Sequence, residues 1–327
     1  MPIQINPSKF PIWVGGNELR LGAGANDQTL NQVSNAQERL IQLLFEGVAK
    51  DQLPLVGASV GLTEIETTKF VERLRPSLLD DVEFKNDGRA IDVRFAELVR
   101  LGFQTNQSPS DVLAKRAGTR IRIPELDRTG LNLLRTLSEL GFRSFLTDDF
   151  TAVTSNDGGE LGYPRAMVGI SRLSAARALL EIDKSHVELN HPKGAGKSEL
   201  QILSATHRIT PSRYKVLESP WLAIEYQIDS VFVSGIMIPR ITPCLGCREL
   251  WAAESNPNWA TDVIQLSARG DHLDDGASLL IAVALTCRNI CRFFDSEIIE
   301  SSNVIHVASR KVSESNCQFH PTCDCRN

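Results

Sequence analysis

The sequence predicts an α/β protein in two parts. A small winged-helix-like domain over residues 1–103 is followed, after a linker over 104–118, by a doubly wound, Rossmann-like domain over 119–327. Three observations predict it. Hairpin signals surround helical periodicity in the first hundred residues, a strand–helix–strand pattern opens the second part, and four cysteines stand in two tight pairs, Cys244 with Cys247 and Cys323 with Cys325.

In chain order, Phe10–Val14 and Glu18–Leu21 read as paired strands around Gly15, Gly16 and Asn17. Leu40, Leu43 and Leu44 recur at helical spacing, as do Ile65, Phe70 and Leu74, with Thr63 as N-cap and Pro76 as stop. Val82–Val93 reads as a second hairpin around Asp87-Gly88. Hairpins around three short helices predict a winged helix. Residues 1–100 hold 11 Lys and Arg against 14 Asp and Glu, so this domain lacks the basic footprint that nucleic acid needs. A peptide added along an open strand edge is the partner it suits.

The polar run Gln104–Ser110 marks the boundary. Beyond it, Thr119–Pro124 reads as a strand, Arg128–Leu140 as an amphipathic helix ended by Gly141, and Phe142–Thr147 as the next strand. A nucleotide site would want several glycines at that first strand-to-helix turn, so that backbone can approach phosphates at a helix N-terminus. The turn Pro124–Gly130 keeps only Gly130 and adds Glu125 and Asp127. Asp148 and Asp149 end the second strand, where a ribose-binding carboxylate belongs in this architecture; a strand-end turn acid is the competing reading. Gly194–Ser198 is glycine-rich but has His191 where a P-loop needs its first glycine, and is read as a flexible basic turn.

Leu200–Leu203, Leu222–Gln227 and Val231–Ile238 give further strands leading into the first cysteine pair, and Ala277–Phe294 a long apolar helix carrying Cys287 and Cys291. Four thiolates in two pairs match a structural zinc site, closed to water and acting as a staple; redox or incidental cysteines are the competing reading, and Cys317 is a spare ligand or a free thiol. No Gly-x-Ser-x-Gly elbow is present, and His186, His191 and His272 lie in polar loops without ligand spacing. With 42% hydrophobic and 23% charged residues the composition is that of a globular chain. The start, Met1–Gln4, carries no signal pattern, and the longest apolar run, Ala277–Leu285, is short of the ~20 residues of a membrane span. The expectation is a cytoplasmic protein with reduced thiols.

Ile238–Trp251 contains Pro243-Cys-Leu-Gly-Cys247 and is followed by Asn256-Pro-Asn-Trp259 and Gln265-Leu266; the chain ends His320-Pro-Thr-Cys-Asp-Cys325. These segments resemble the signature of the cyclodehydratase-associated, ThiF-like proteins of thiazole/oxazole-modified peptide (bacteriocin) biosynthesis. The match is strong over residues 236–266 and 319–325 and weaker, but collinear, over nearly all the rest.

The resemblance implies a winged helix that captures the leader of a ribosomal precursor peptide, joined to a ThiF/MoeB-type domain and working with a YcaO-type cyclodehydratase that spends the ATP. It implies Cys244, Cys247, Cys323 and Cys325 as zinc ligands. Measured against adenylating relatives, the chain departs from the pattern. Gly130 is what remains of the glycine turn, Asp149 stands for the ribose acid and Arg172, in Val168–Arg172, for the phosphate lysine. Ser155-Asn156 is left of a longer motif, and the magnesium Asp is replaced near Thr206-His207-Arg208. The expectation is a pseudoenzyme that binds zinc but not ATP, with an active adenylating enzyme as the alternative and a homodimer expected by fold analogy.

Overall fold

The structure is a computed structural model and describes residues 2–6, 9–15, 18–23, 27–79, 101, 109–182, 186–192, 198–267, 269, 272–309 and 311–326. The chain divides into two compact units, Met1–Ala114 and Lys115–Asn327.

The first unit begins with Pro2–Ile3 (β1) and the expected hairpin, Pro11–Gly15 (β2) paired antiparallel with Glu18–Leu21 (β3), to which Gln28–Leu30 (β4) adds a third strand. Helix α1 (Asn35–Glu46) and strand β5 (Val48–Ala49, paired with β1) precede α2 (Leu53–Ser59) and α3 (Glu64–Leu74). Both long helices start in capping boxes. Thr63 Oγ1 accepts from the Glu66 N–H while Glu66 Oε2 accepts from the Thr63 N–H at 2.8 Å, and Ser34 and Gln37 repeat the exchange on α1. Leu19, Leu21, Leu40, Leu44, Phe70 and Leu74 form the core. Ile65 does not join them: it lies one residue into α3, on the outer face, and is 68% exposed. The second hairpin expected over 82–93 lies outside the described residues, as does 104–108 of the expected linker; its C-terminal part, Pro109–Gly118, is helix α4.

The second unit is built on an eight-stranded sheet. Its strands are β6 (Arg120–Arg122), β7 (Ser144–Leu146), β8 (Glu188–Asn190), β9 (Leu200–Thr206), β10 (Trp221–Tyr226), β11 (Ser230–Val233), β12 (Ser302–His306) and β13 (Val312–Ser315). The order is β13-β12-β11-β10-β9-β6-β7-β8, parallel from β10 through β8 and antiparallel from β10 through β13. The expected strand–helix–strand unit is β6, α5 (Arg128–Glu139) and β7, with Gly141 at φ 100° closing the helix. The remaining helices are α6 (Arg172–Ile182), α7 (Pro211–Tyr214), α8 (Leu245–Ser255), α9 (Trp259–Ser267) and α10 (Gly276–Ser296).

Strand alternation sorts the two faces. Ile121, Phe145, Leu200, Ile202, Leu222 and Ile224 pack with α5, α6 and α10 in one core. Leu203, Trp221, Ala223 and Phe232 face the other way and pack with Tyr214, Met237 and Leu245. Among the described residues only α10 is long and apolar enough to cross a membrane, and it packs Leu279, Ala282, Val283, Cys287 and Ile290 into the first core. Cys287 is thus a buried structural thiol, its pKa pushed well up by burial.

Candidate functional site

The four paired cysteines meet. Cys244 is the N-cap of α8 and Cys247 lies in its first turn, its N–H bonded to the Cys244 carbonyl at 3.1 Å. The second pair arrives from the C-terminal segment, where the Cys323 N–H bonds to the His320 carbonyl at 3.1 Å. All four sulfurs lie within 4.8 Å of one another, with 3.7 Å between Cys244 and Cys323 and 3.4 Å between Cys247 and Cys325. A tetrahedron with metal–sulfur bonds of ~2.3 Å has sulfur–sulfur edges of ~3.8 Å, so the donor set fits a zinc ion.

The surroundings hold that geometry. A Cβ on Gly246 would stand 3.3 Å from the Cys244 sulfur and 3.5 Å from that of Cys323. Burial pushes the Cys247 thiol up, but hydrogen bonds from the His320 and Cys244 backbones and the neighbouring thiols outweigh it and lower its pKa, toward the thiolate a metal requires. Buried His320 accepts from the Thr322 N–H through Nδ1 at 3.2 Å, which leaves Nε2 to donate to Glu254 of α8 at 3.0 Å. Trp251 packs edge-on against His320, and its Nε1 donates to the Gln318 carbonyl at 3.1 Å. Cys244, Cys323 and Cys325 also line a cleft of about 860 Å³ floored by Gln201 and Trp221.

The residues expected at a nucleotide site lie together near the C-terminal ends of β6 and β7, and their polar groups engage one another. Asp149 accepts from the Leu126 N–H at 2.8 Å, the Thr151 N–H at 3.0 Å, the Thr151 hydroxyl and Arg172 Nη1 at 3.2 Å. Burial pushes this carboxyl up, yet those hydrogen bonds prevail and hold it below the usual range. Arg172 also donates to Asp157 through Nε at 3.2 Å and Nη2 at 2.6 Å. Gly130 sits in the first turn of α5, its N–H donating to the N-cap Asp127 at 2.9 Å. Burial lifts the Asp127 carboxyl to about 6, with Asp274 and Asp157 adding to the rise and Gly130 and Arg172 opposing it.

A loop seals the first turn. Tyr163 is fully buried and its hydroxyl donates to the Leu126 carbonyl at 2.7 Å, while Asn132 Nδ2 donates to the Leu161 carbonyl at 2.7 Å. Glu125, the other acid of the Pro124–Gly130 turn, takes both its oxygens to Arg213 Nη2 at 2.6 and 2.7 Å. His207, at the end of β9, adopts a left-handed backbone at φ 65°, a strained conformation for a residue with a side chain. Residues 194–197 of the basic turn Gly194–Ser198 lie outside the described residues.

Sequence reasoning missed Asp157, Tyr163 and the buried acid Glu225, which is 1% exposed on β10 and accepts from Arg208, Arg248 and the Ile209 N–H. A signal existed for the last. An acid inside the apolar run Leu222–Tyr226 must find a cation.

No protein-family model and no curated protein matches the chain. Among solved structures it is similar to Escherichia coli MccB with AMPCPP and selenomethionyl MccA, at TM-score 0.72 and 14% identity over 100% of both chains. It is similar at TM-score 0.71 and 14% identity, again over 100% of both, to the microcin C7 biosynthetic enzyme MccB in complex with N-formylated MccA. PaaA matches at TM-score 0.59 and 14% identity over 77% of this chain and 92% of its own. Identity at this level speaks to fold alone: the chain shares the fold of MccB over its whole length, and four of its thiols lie close enough to suit a metal ion such as zinc.

Proposed function

We propose that the protein captures a ribosomally made precursor peptide through its N-terminal unit and presents it to a YcaO-type cyclodehydratase for azoline formation, without adenylating anything itself. The observation that carries the second half is the clasp of Arg172 between Asp149 and Asp157. A cation meant for phosphate must shed its protein partners to bind, and a ribose acid must offer free lone pairs; here both are engaged by buried neighbours. Gly130, Asp149 and Arg172 are in this reading the remnant of a nucleotide site, now used to hold the fold.

Peptide capture is supported by β2, which has a partner on one side only among the described residues and exposes Trp13 and Val14, with Phe10 just before it. An extended segment can add to such an edge through backbone hydrogen bonds, with side chains seated on the aromatics. MccB, whose fold the chain shares, has been solved with MccA. Tethering a leader raises the local concentration of downstream Cys, Ser or Thr residues at a partner enzyme to roughly millimolar. Zinc, when bound, supplies a closed staple between α8 and the C-terminal segment. In this reading the protein works in the cytoplasm as a homodimer.

Calorimetric titration of the purified chain with magnesium-ATP and with precursor peptides encoded beside it, together with a pyrophosphate-exchange assay, tests the proposal. The expected result is peptide binding without nucleotide binding or exchange. Magnesium-dependent ATP binding with exchange would replace it by the adenylating-enzyme reading, MccB having also been solved with ATP.

A further inference from the structure

We propose that Glu225 couples the four-thiol cluster to the turn His207–Ile209, so that metal occupancy sets the conformation of that turn. Glu225 points to the zinc-bearing face of the sheet and is 1% exposed. One oxygen of its carboxylate accepts from Arg248 Nη1 at 2.6 Å, and Arg248 follows Cys247 directly on α8. The same oxygen, Oε2, accepts from Arg208 Nη1 at 2.7 Å, and the other, Oε1, accepts from the Ile209 N–H at 2.9 Å. Gln227, with its amide turned to satisfy its neighbours, accepts from the same two guanidiniums, at 2.6 Å from Arg208 and 3.3 Å from Arg248.

A second strand of contacts runs in parallel. Glu249, also on α8, stands 3.9 Å from Arg208 Nε and accepts from Trp259 Nε1 at 2.8 Å, and the Arg208 guanidinium lies over the Trp259 ring at 4.7 Å. Arg248 itself stacks on Phe232 at 3.8 Å. Two arginines brought this close need shared anions, and a buried carboxylate needs its full set of donors. If α8 shifts when its cysteines lose their metal, Glu225 keeps only the donors of the 207–209 turn and Arg208 loses Glu249. The turn, already strained at His207, then has fewer contacts to hold it.

The coupling does not depend on the peptide-presenting role, and its signature is reciprocity. If metal steadies the turn, residues of the turn must contribute to metal affinity by the same factor. Outer partners of metal ligands typically contribute ten- to a hundredfold.

The test is zinc affinity of the full chain, by competition with a chromophoric chelator, for wild type, Glu225→Gln and Arg208→Gln. Arg208→Gln is the decisive variant, because Arg208 makes no contact with the thiols and its effect must arrive through Glu225, Gln227 and Glu249; it also carries the test if Glu225→Gln does not fold. We expect zinc binding weakened about tenfold in each. Hydrogen exchange supplies the reverse reading: removing zinc should raise exchange at the His207 and Ile209 amides, which bond Tyr226 and Glu225, while β9 and β10 stay protected. Unchanged zinc affinity in Arg208→Gln, or unchanged exchange at 207–209 in the metal-free protein, overturns the proposal.

Discussion

A Cβ atom on Gly130 would stand 1.9 Å from the carbonyl oxygen of Glu125. The sequence marks Gly130 as the last trace of a phosphate-binding turn, yet its contact is with the chain's own backbone. It lets α5 start hard against the end of β6.

Gly130→Ala should therefore cost about 3 kcal/mol of stability, the upper range for forcing a group into packed space that cannot yield. Urea unfolding measures it. A variant as stable as the parent would mean that the turn is looser than its geometry, and would reopen room for a ligand there.

Arg172→Ala separates the two roles that this residue could play. Asp149 and Asp157 are 4% and 6% exposed at their side chains and share Arg172 between them. Removing one partner of a buried ion pair costs about 3–5 kcal/mol, because the charge left behind stays desolvated. The expected outcome is a large loss of stability; an unchanged unfolding midpoint with a lost nucleotide signal would instead assign Arg172 to a phosphate.

Local grammar was legible in the sequence, and long-range pairing was not. Gly15, Gly16 and Asn17 announced the β2–β3 hairpin, Thr63 the start of α3, and Gly141 the stop of α5, since each acts on groups within four residues of itself. The two cysteine pairs were legible because motif spacing carries their chemistry. Glu225 with Arg248, and Tyr163 with Leu126, are set by the sheet order and by loop packing, which no local pattern encodes. Ile65 fits the helical period yet faces outward, since a run of apolar residues says less about the first turn of a helix than about its middle.

Cys325→Ser should abolish stoichiometric zinc, read by elemental analysis as one zinc per chain falling to none. Cys325 is partly exposed, so the exchange costs little packing and isolates the metal's contribution. At metal concentrations some thousandfold above Kd that contribution is about 4 kcal/mol, or a fall of about 10 °C in Tm. Three of the thiols line the open cleft, so a small chelator should reproduce the shift in the folded wild type. A chelator-insensitive Tm would count against a metal staple.

Asp127 sets a pH dependence. Its carboxyl is raised by burial to about 6 from an ordinary 3.8, so between those values the folded state holds the proton more tightly than the unfolded chain. Its contribution is fully present below pH ~4 and lost as pH rises through 6. Asp127→Asn keeps the N-cap acceptor for the Gly130 N–H but removes the titration. From pH 4 to 7 the wild type should lose more unfolding free energy than the variant; parallel pH profiles in urea titrations would show that the native carboxyl titrates normally.

Trp13 tests the peptide-binding edge. It projects from β2 at 45% exposure, beside Val14 at 55% and near Phe10, just before the strand, at 43%. Solvent gains nothing from such a cluster, whereas an extended peptide hydrogen-bonded along the strand would cover it, and buried aromatic anchors dominate interfaces of this kind. Because Trp13 has little packing to lose, Trp13→Ala should leave the unfolding midpoint within ~0.5 kcal/mol. Precursor-peptide affinity should fall by about 2 kcal/mol, roughly thirtyfold, in the same calorimetric titration. Full affinity in Trp13→Ala and in the companion Phe10→Ala would move peptide capture away from β2.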